Sequence, residues 1–243
     1  MEEWRTFLYP LGFISAIAFG ARFIVQWLQS ERQQKSVVTP LFWKISLFGN
    51  LFLLCHCLIQ FQFHICLIQG CNAVISWRNL NLTQTNLAPV SFKTVCFMLA
   101  GTILFITTLF FMQDGWSTHE GGWFRIPAAP WQKDSAVSTD ASLFLWHVLG
   151  TFAYVLFSIR FWLQWWWIEK TYCEEKNFSS PPFQETRQLP LSFWWLSLTG
   201  AVLSIFYFAH IDDMVNLIGP LVGLVPYARN LMLMHNQKRA LES

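Results

Sequence analysis

The sequence predicts an all-α integral membrane protein: seven transmembrane helices, arranged as two parallel three-helix repeats around one linker helix. Three observations carry this reading. Charged side chains make up only 12% of the 243 residues, against 54% hydrophobic and 18% aromatic, whereas soluble domains carry about 25% charged residues. Apolar stretches long enough to cross a bilayer recur along the whole chain. A set of short motifs occurs twice in the same order. The mean hydropathy of +0.37 and the net charge of +2 exclude an ordinary cytosolic globule, a disordered chain and a nucleic-acid-binding arm.

The apolar runs fall at roughly 7–28, 41–60, 62–79, 92–112, 142–167, 189–209 and 214–233. Each approaches the ~20 residues needed to span a hydrocarbon core. The run 62–79 is interrupted by Gln62, His64, Gln69 and Asn72; it is read as crossing because its neighbours must alternate. Backbone groups in lipid bond internally, and no period-two alternation is present, so the runs are helices and not barrel strands. Residues 29–40 form a polar connection ending at Pro40. Residues 113–141 carry Trp116, Trp123 and Trp131 among Gly and Pro and read as a loop on the membrane interface, where Trp is enriched. Residues 168–190, with Glu169, Lys170, Glu174, Glu175, Lys176, Pro181 and Pro182, read as a polar loop ending at Pro190. The expected division is 1–80 for the first repeat, 81–141 for the linker helix and loop, and 142–243 for the second repeat and a cytoplasmic tail.

Basic residues set the orientation. With the N-terminus outside, the inner segments hold Arg32, Lys35, Arg78, Lys93, Lys170, Lys176, Arg187, Lys238 and Arg239, and the outer ones only Arg5, Arg125 and Lys133. The bias predicts N-terminus out and C-terminus in. The start, Met1-Glu2-Glu3, lacks the basic region of a cleaved signal peptide. Cys55, Cys57, Cys66, Cys71 and Cys96 lie in apolar runs and Cys173 in a polar one, so reduced, packed thiols are expected. There is no C-x-x-C pair, and Cys55-His56-Cys57 with His64 is read as structural because adjacent helix positions diverge. No metal and no cofactor is expected.

The repeat is read directly. Arg22-Phe23-Ile24-Val25-Gln26-Trp27 matches Arg160-Phe161-Trp162-Leu163-Gln164-Trp165, and Glu31 matches Glu169. Phe42-Trp43, Ser46 and Gly49 match Phe193-Trp194, Ser197 and Gly200. Arg78-Asn79-Leu80 matches Arg229-Asn230-Leu231. Each copy is thus three helices, the first ending in R-F-x-x-Q-W, the second opening with F-W-x-x-S-x-x-G and the third ending in R-N-L. Residues 92–112 have no partner. One unpaired helix between two odd-numbered repeats lets both face the same way, with a pseudo-two-fold along the membrane normal.

These signatures resemble the lipid-A-disaccharide synthase N-terminal domain family, a small membrane module found alone or ahead of the glycosyltransferase in some Gram-negative bacteria. The resemblance covers both repeats. The first copy departs from it at Ser76, where the second has the aromatic Tyr227 two places before Arg, so equal roles for the two halves are not assumed. The three-plus-one-plus-three plan is also similar to the SWEET and PQ-loop transporters. The resemblance implies lipid A biosynthesis at the cytoplasmic face of the inner membrane, where two acylated glucosamine units are joined. It also implies a glycosyltransferase, as a partner or a further domain. The sequence has no Gly-rich phosphate loop, no Ser/His/Asp set and no spaced carboxylate pair in a helix, so no catalytic residue is assigned.

The candidate binding residues are Arg22 with Gln26, Arg160 with Gln164, Arg78 with Asn79, and Arg229 with Asn230. Arg and Gln four apart share a helix face, and arginine binds phosphate through a planar fork. All four arginines are expected near the inner side, lining one pocket for the phosphate of a glycolipid. Snorkelling of the arginines to headgroups is the competing reading. Glu31 and Glu169 are either counter-ions or solvated loop charges. Ser46, Gly49, Ser197 and Gly200 read as close-packing positions, and Gly219, Pro220 and Pro226 as a kink. Three functions follow: a binder of a phosphorylated acyl-glucosamine lipid, with polar groups at the inner end; a SWEET-like carrier, with polar groups near mid-membrane such as Gln69, Asn72 and Asn216; and a membrane anchor or scaffold for a glycosyltransferase, indifferent to the arginines.

Overall fold

The computed structural model describes residues 3–33, 39–83, 90–116, 123, 125–131, 141–178 and 191–242, with side chains described outside 114–116, 141–143, 168, 171–178 and 237–242. Lys35, Lys133, Pro190 and Arg187 lie outside the described residues, as do the side chains of Trp116, Cys173, Lys176, Lys238 and Arg239. Among the described residues the protein is all helical. A short helix α1 (Glu3–Leu8) and a 3-10 turn (Tyr9–Gly12) lead into α2 (Phe13–Gln33). Then come α3 (Pro40–Ile59), α4 (Phe63–Thr83), α5 (Phe92–Trp116), α6 (Ala141–Phe178), α7 (Leu191–His210) and α8 (Met214–Glu242).

Six of the long helical segments are apolar and long enough to cross a membrane; α4 is not among them. Its composition explains why. Gln69, Asn72, Ser76, Arg78 and Asn79 on α4 are all buried, so this helix is surrounded by protein on most sides and its polar groups face inward. The opposite case is α5, which is highly apolar and only 22% buried. It packs against α4 and turns Phe97, Leu104, Phe105 and Phe111 outward, as a linker facing lipid would.

Within the first half α2 packs on α3 and α3 on α4; within the second α6 packs on α7 and α7 on α8. Between the halves α2 meets α8 and α4 meets α6, which are corresponding contacts when the motifs are aligned. The local geometry corresponds too. α3 begins at Pro40 after extended Thr39, since proline's fixed φ suits the first helical position. It ends in a Schellman turn: Gln62 N–H donates to Cys57 C=O at 3.0 Å and Phe61 N–H to Leu58 C=O at 3.4 Å, with Phe61 left-handed at φ 58°. α7 ends identically, Asp213 N–H donating to Phe208 C=O at 2.9 Å and Asp212 N–H to Ala209 C=O at 3.4 Å, with Asp212 at φ 53°. Such a turn satisfies the last carbonyls of a helix and usually has glycine at the left-handed position.

The small residues pack as their spacing suggests. A methyl group on Gly200 would lie 2.5 Å from the backbone N of Phe157, and one on Gly49 2.8 Å from the ring of Phe19. Three connections differ from the sequence expectation. α6 continues through 168–178 because that stretch holds helix formers and neither Gly nor Pro; Glu169 and Lys170 are therefore helical. α8 continues past 233 to Glu242. Residues 125–131 fold over the α3–α4 turn: Arg125 N–H donates to Phe61 C=O, Ala128 N–H to Gln60 Oε1 at 2.9 Å, and Arg5 to Gln60 C=O at 2.9 Å. Trp123 packs on Phe63, Phe110 and Phe111.

Candidate functional site

Arg22 and Arg160 sit at mid-length on α2 and α6, and each helix places its arginine toward the other half. Both are buried, at 2% and 1% exposure, so neither snorkels to the headgroup region. The phenylalanine that follows each in the repeated motif is a ring they share. Arg22 Cζ lies 4.7 Å from the Phe23 centroid and 5.1 Å from that of Phe161. Arg160 Cζ lies 4.7 Å from Phe161 and 5.7 Å from Phe23. Phe19 and Phe157 add a further face to each. Arg22 Nη1 donates to Ser46 Oγ at 3.2 Å, and Arg160 Nη1 donates to the Tyr227 hydroxyl.

No described carboxylate pairs with either guanidinium. Arg22 Nε and Arg160 Nη2 are buried with no hydrogen-bond partner among the described residues, and so are Gln26 Nε2 and Gln164 Oε1 one turn further along. Taking an ion out of water costs several kcal/mol even after relaxation. Aromatic faces return about 0.5–2 kcal/mol each but accept none of the in-plane N–H groups. The two arginines therefore leave positive charge and donor capacity unfilled in the middle of the protein.

The other two arginines are held differently. Glu31 and Glu169 stand two and a half turns beyond Arg22 and Arg160, roughly 13 Å at 1.5 Å per residue. Arg78 forks onto Glu169, Nη2 to Oε1 at 2.6 Å and Nε to Oε2 at 3.1 Å, and also donates to the Val90 carbonyl at 2.6 Å. Arg229 forks onto Glu31, Nε to Oε1 and Nη2 to Oε2 at 3.1 Å. Each pair joins the end of one half to the start of the other, and the buried one is that of Arg78 and Glu169, with side chains 2% and 12% exposed. Asn79 is buried with both amide atoms unpartnered. Asn230 Nδ2 donates to Pro226 C=O at 2.7 Å, and its Oδ1 has no partner. The eight candidate residues thus occupy two levels, one of neutralised pairs and one of unneutralised arginines.

Beside Arg22 lies a cavity of about 20 Å³, lined by Asn50, Gln69, Asn72, Ser158 and Asn216. Its size admits about one water. Asn50 Nδ2 donates to Ser76 Oγ at 3.1 Å and Ser158 Oγ to Asn72 Oδ1 at 2.7 Å; Gln69 Nε2 donates to the Tyr154 hydroxyl. Pro220 forms one wall, and lacking an N–H it leaves the Asn216 carbonyl without its helical donor. Tyr227 fills, in the second half, the position that Ser76 holds in the first.

The sequence reading missed a second polar cluster. Asp213, wholly buried, accepts from Gln62 Nε2 at 2.8 Å, Asn216 Nδ2 at 2.8 Å and the Tyr9 hydroxyl at 3.2 Å. Its one available signal was that Gln62 and Asp213 occupy matching positions after F-W-x-x-S-x-x-G. Cys55, Cys57, Cys66, Cys71 and Cys96 are free thiols.

Residues 11–81 and 149–232 match the family model described as Lipid A Biosynthesis N-terminal domain. The chain is also similar to curated proteins named lipid-A-disaccharide synthase. It is 33% identical to the one from Chlamydia felis (strain Fe/C-56) over 238 residues, covering 96% of this chain and 34% of that protein. It is 33% identical to that of Chlamydia trachomatis serovar D over 236 residues, covering 96% and 35%. For the protein of Chlamydia pneumoniae the identity is 30% over 233 residues, covering 96% and 34%. The chain spans about a third of the length of these relatives. No solved structure matches it.

Proposed function

The chain belongs to the Lipid A Biosynthesis N-terminal domain family, and from that premise we propose that it binds a phosphorylated acyl-glucosamine glycolipid within its helical bundle. The observation that carries this is the Arg22–Arg160 pair, buried, unneutralised and with N–H groups unfilled. A phosphate supplies both missing elements, charge and in-plane acceptors, and guanidinium forks match it. Gln26 and Gln164 offer further donors and acceptors on the side facing Arg78, Asn79, Arg229 and Asn230. In this reading the two ion pairs close the level below the site and hold the halves together. The cavity beside Arg22 admits about one water in this state, so entry of the phosphate moves α8 at Pro220. We place the protein in the bacterial inner membrane, N-terminus outside and C-terminus cytoplasmic, as two parallel three-helix repeats about α5, presenting lipid to a glycosyltransferase.

One observation favours a second reading. Arg22, Arg160 and Asn72 lie at mid-length of their helices, and Gln69 and Asn216 line the cavity beside Arg22, a polar chamber inside the bundle of the kind expected of a SWEET-like carrier. In that reading the same site passes the phosphorylated head across the membrane.

Native mass spectrometry after mild extraction tests the site. Wild-type protein retains a phosphorylated lipid; Arg22→Lys or Arg160→Lys, which keep charge and lose the fork, retain markedly less, and Lys238→Gln is unchanged. Undiminished lipid on the Arg22→Gln/Arg160→Gln protein overturns the reading and leaves a membrane anchor.

A further inference from the structure

The cavity beside Arg22 has a neighbour on the lipid side of the same helical seam. Between α4, α5 and α6 runs an apolar groove of about 330 Å³, walled by Leu67, Ile68, Cys71, Ile103, Val155 and Trp162. That volume lies within the range of ligand pockets, about 300–1,000 Å³. Ser158 lines both spaces. Its hydroxyl, bonded to Asn72 at 2.7 Å, is the partition between a groove open to hydrocarbon and a polar chamber holding an unneutralised guanidinium. An apolar channel ending at a polar, cationic chamber has the polarity of a single-chain amphiphile with an anionic head.

We propose that this groove seats one acyl chain of the ligand and that the Ser158–Asn72 hydrogen bond is the lateral gate through which its phosphorylated head reaches Arg22. The inference rests on the phosphate site proposed above and adds how the ligand enters and which part of it the groove holds. Lateral entry suits a lipid, because the chain never leaves the hydrocarbon while only the head crosses the helix seam.

The test separates chain from head with two probes on the purified protein: dodecyl phosphate and glucosamine 6-phosphate. Val155 is 39% exposed and walls the groove; Val202 on α7 is 38% exposed and does not. Val155→Trp fills the groove and is expected to weaken dodecyl phosphate at least tenfold, with glucosamine 6-phosphate changed less than twofold. Val202→Trp changes neither. A photoactivatable dodecyl phosphate is expected to label peptides 67–71 or 155–162 in the wild type, and to lose that label in Val155→Trp. Unchanged dodecyl phosphate affinity in Val155→Trp, or labelling elsewhere, overturns the groove while leaving the phosphate site standing. If Arg22→Gln/Arg160→Gln binds both probes as the wild type does, the phosphate site fails and the gate with it.

Discussion

Gln62 donates to the carboxylate of Asp213 at 2.8 Å, and the two residues hold the same place in the two Schellman turns that end α3 and α7. Contact between matching residues is what the proposed pseudo-two-fold requires at its axis, as in the two halves of an isologous contact. Arg22 and Arg160, which share the rings of Phe23 and Phe161, are the second such pair. One pair is made of hydrogen-bonding groups that complete each other, the other of like charges that do not. That contrast separates a satisfied structural contact from the pair on which the proposed phosphate site rests.

The Asp213 cluster is expected to behave as a structural staple. Asp213→Asn replaces an acceptor by a donor facing Gln62 Nε2 and Asn216 Nδ2, and is expected to cost about 1–3 kcal/mol, read as a lowered unfolding temperature in detergent. Tyr9→Phe removes one bond only and costs about 1 kcal/mol. Equal melting of the Asp213→Asn and wild-type proteins would show that the cluster carries no stability.

The left-handed residues give a cleaner contrast. Asp212→Gly relieves a non-glycine left-handed conformation, worth roughly 1 kcal/mol, and raises the melting temperature. Phe61→Gly does not, because the Phe61 ring carries Arg5 at 5.3 Å and Arg125 at 4.6 Å. Stabilisation by both would mean that those cation–ring contacts contribute nothing.

Close packing predicts an order at the repeated glycines. Gly200→Ala forces backbone of α7 from backbone of α6 and is expected to cost about 1–3 kcal/mol. Gly49→Ala meets side chains alone, the Phe19 ring at 2.8 Å and the Ala18 methyl at 3.3 Å, and costs less. Thermal unfolding of the two variants checks the order.

The ion pairs should differ as their burial differs. Glu169→Gln strands Arg78 inside the protein and is expected to cost about 3–5 kcal/mol, whereas Arg78→Met/Glu169→Leu comes near to neutral. Glu31→Gln, at the more exposed pair, has a small effect that shrinks with salt. Reporter fusions complete the set: cytoplasmic signals at Lys176 and the C-terminus and an external one near Trp123 agree with the proposed orientation, and a periplasmic C-terminus reverses it.

Much of the architecture was legible because the motif residues are those that the fold uses twice. The R-F pair supplies a cation and its ring, and S-x-x-G supplies the close approach. What alignment of the halves does not reveal is which half a residue pairs with. Glu169 reads in sequence either as a counter-ion or as a solvated charge in a polar loop; the helix runs to Phe178 and Glu169 pairs with Arg78. The place of Arg22 along its helix follows from a related feature. Its helix continues to Gln33, beyond the apolar run, so an arginine near the end of the run is at the middle of the helix. Asp213 is hard to single out in sequence because the adjacent acids Asp212 and Asp213 after an apolar run have the pattern of a solvent-facing turn.

The crossed ion pairs impose a schedule on biosynthesis. Arg78 emerges from the ribosome 91 residues before its partner Glu169, an interval on the order of ten seconds at ordinary elongation rates. During that time three helices have been delivered to the membrane with a cation awaiting closure. Glu31 waits longer still, 198 residues, until Arg229 arrives. Neither half therefore completes its ion pair alone, and a ribosome that stalls between α5 and α6 leaves Arg78 without the carboxylate that neutralises it.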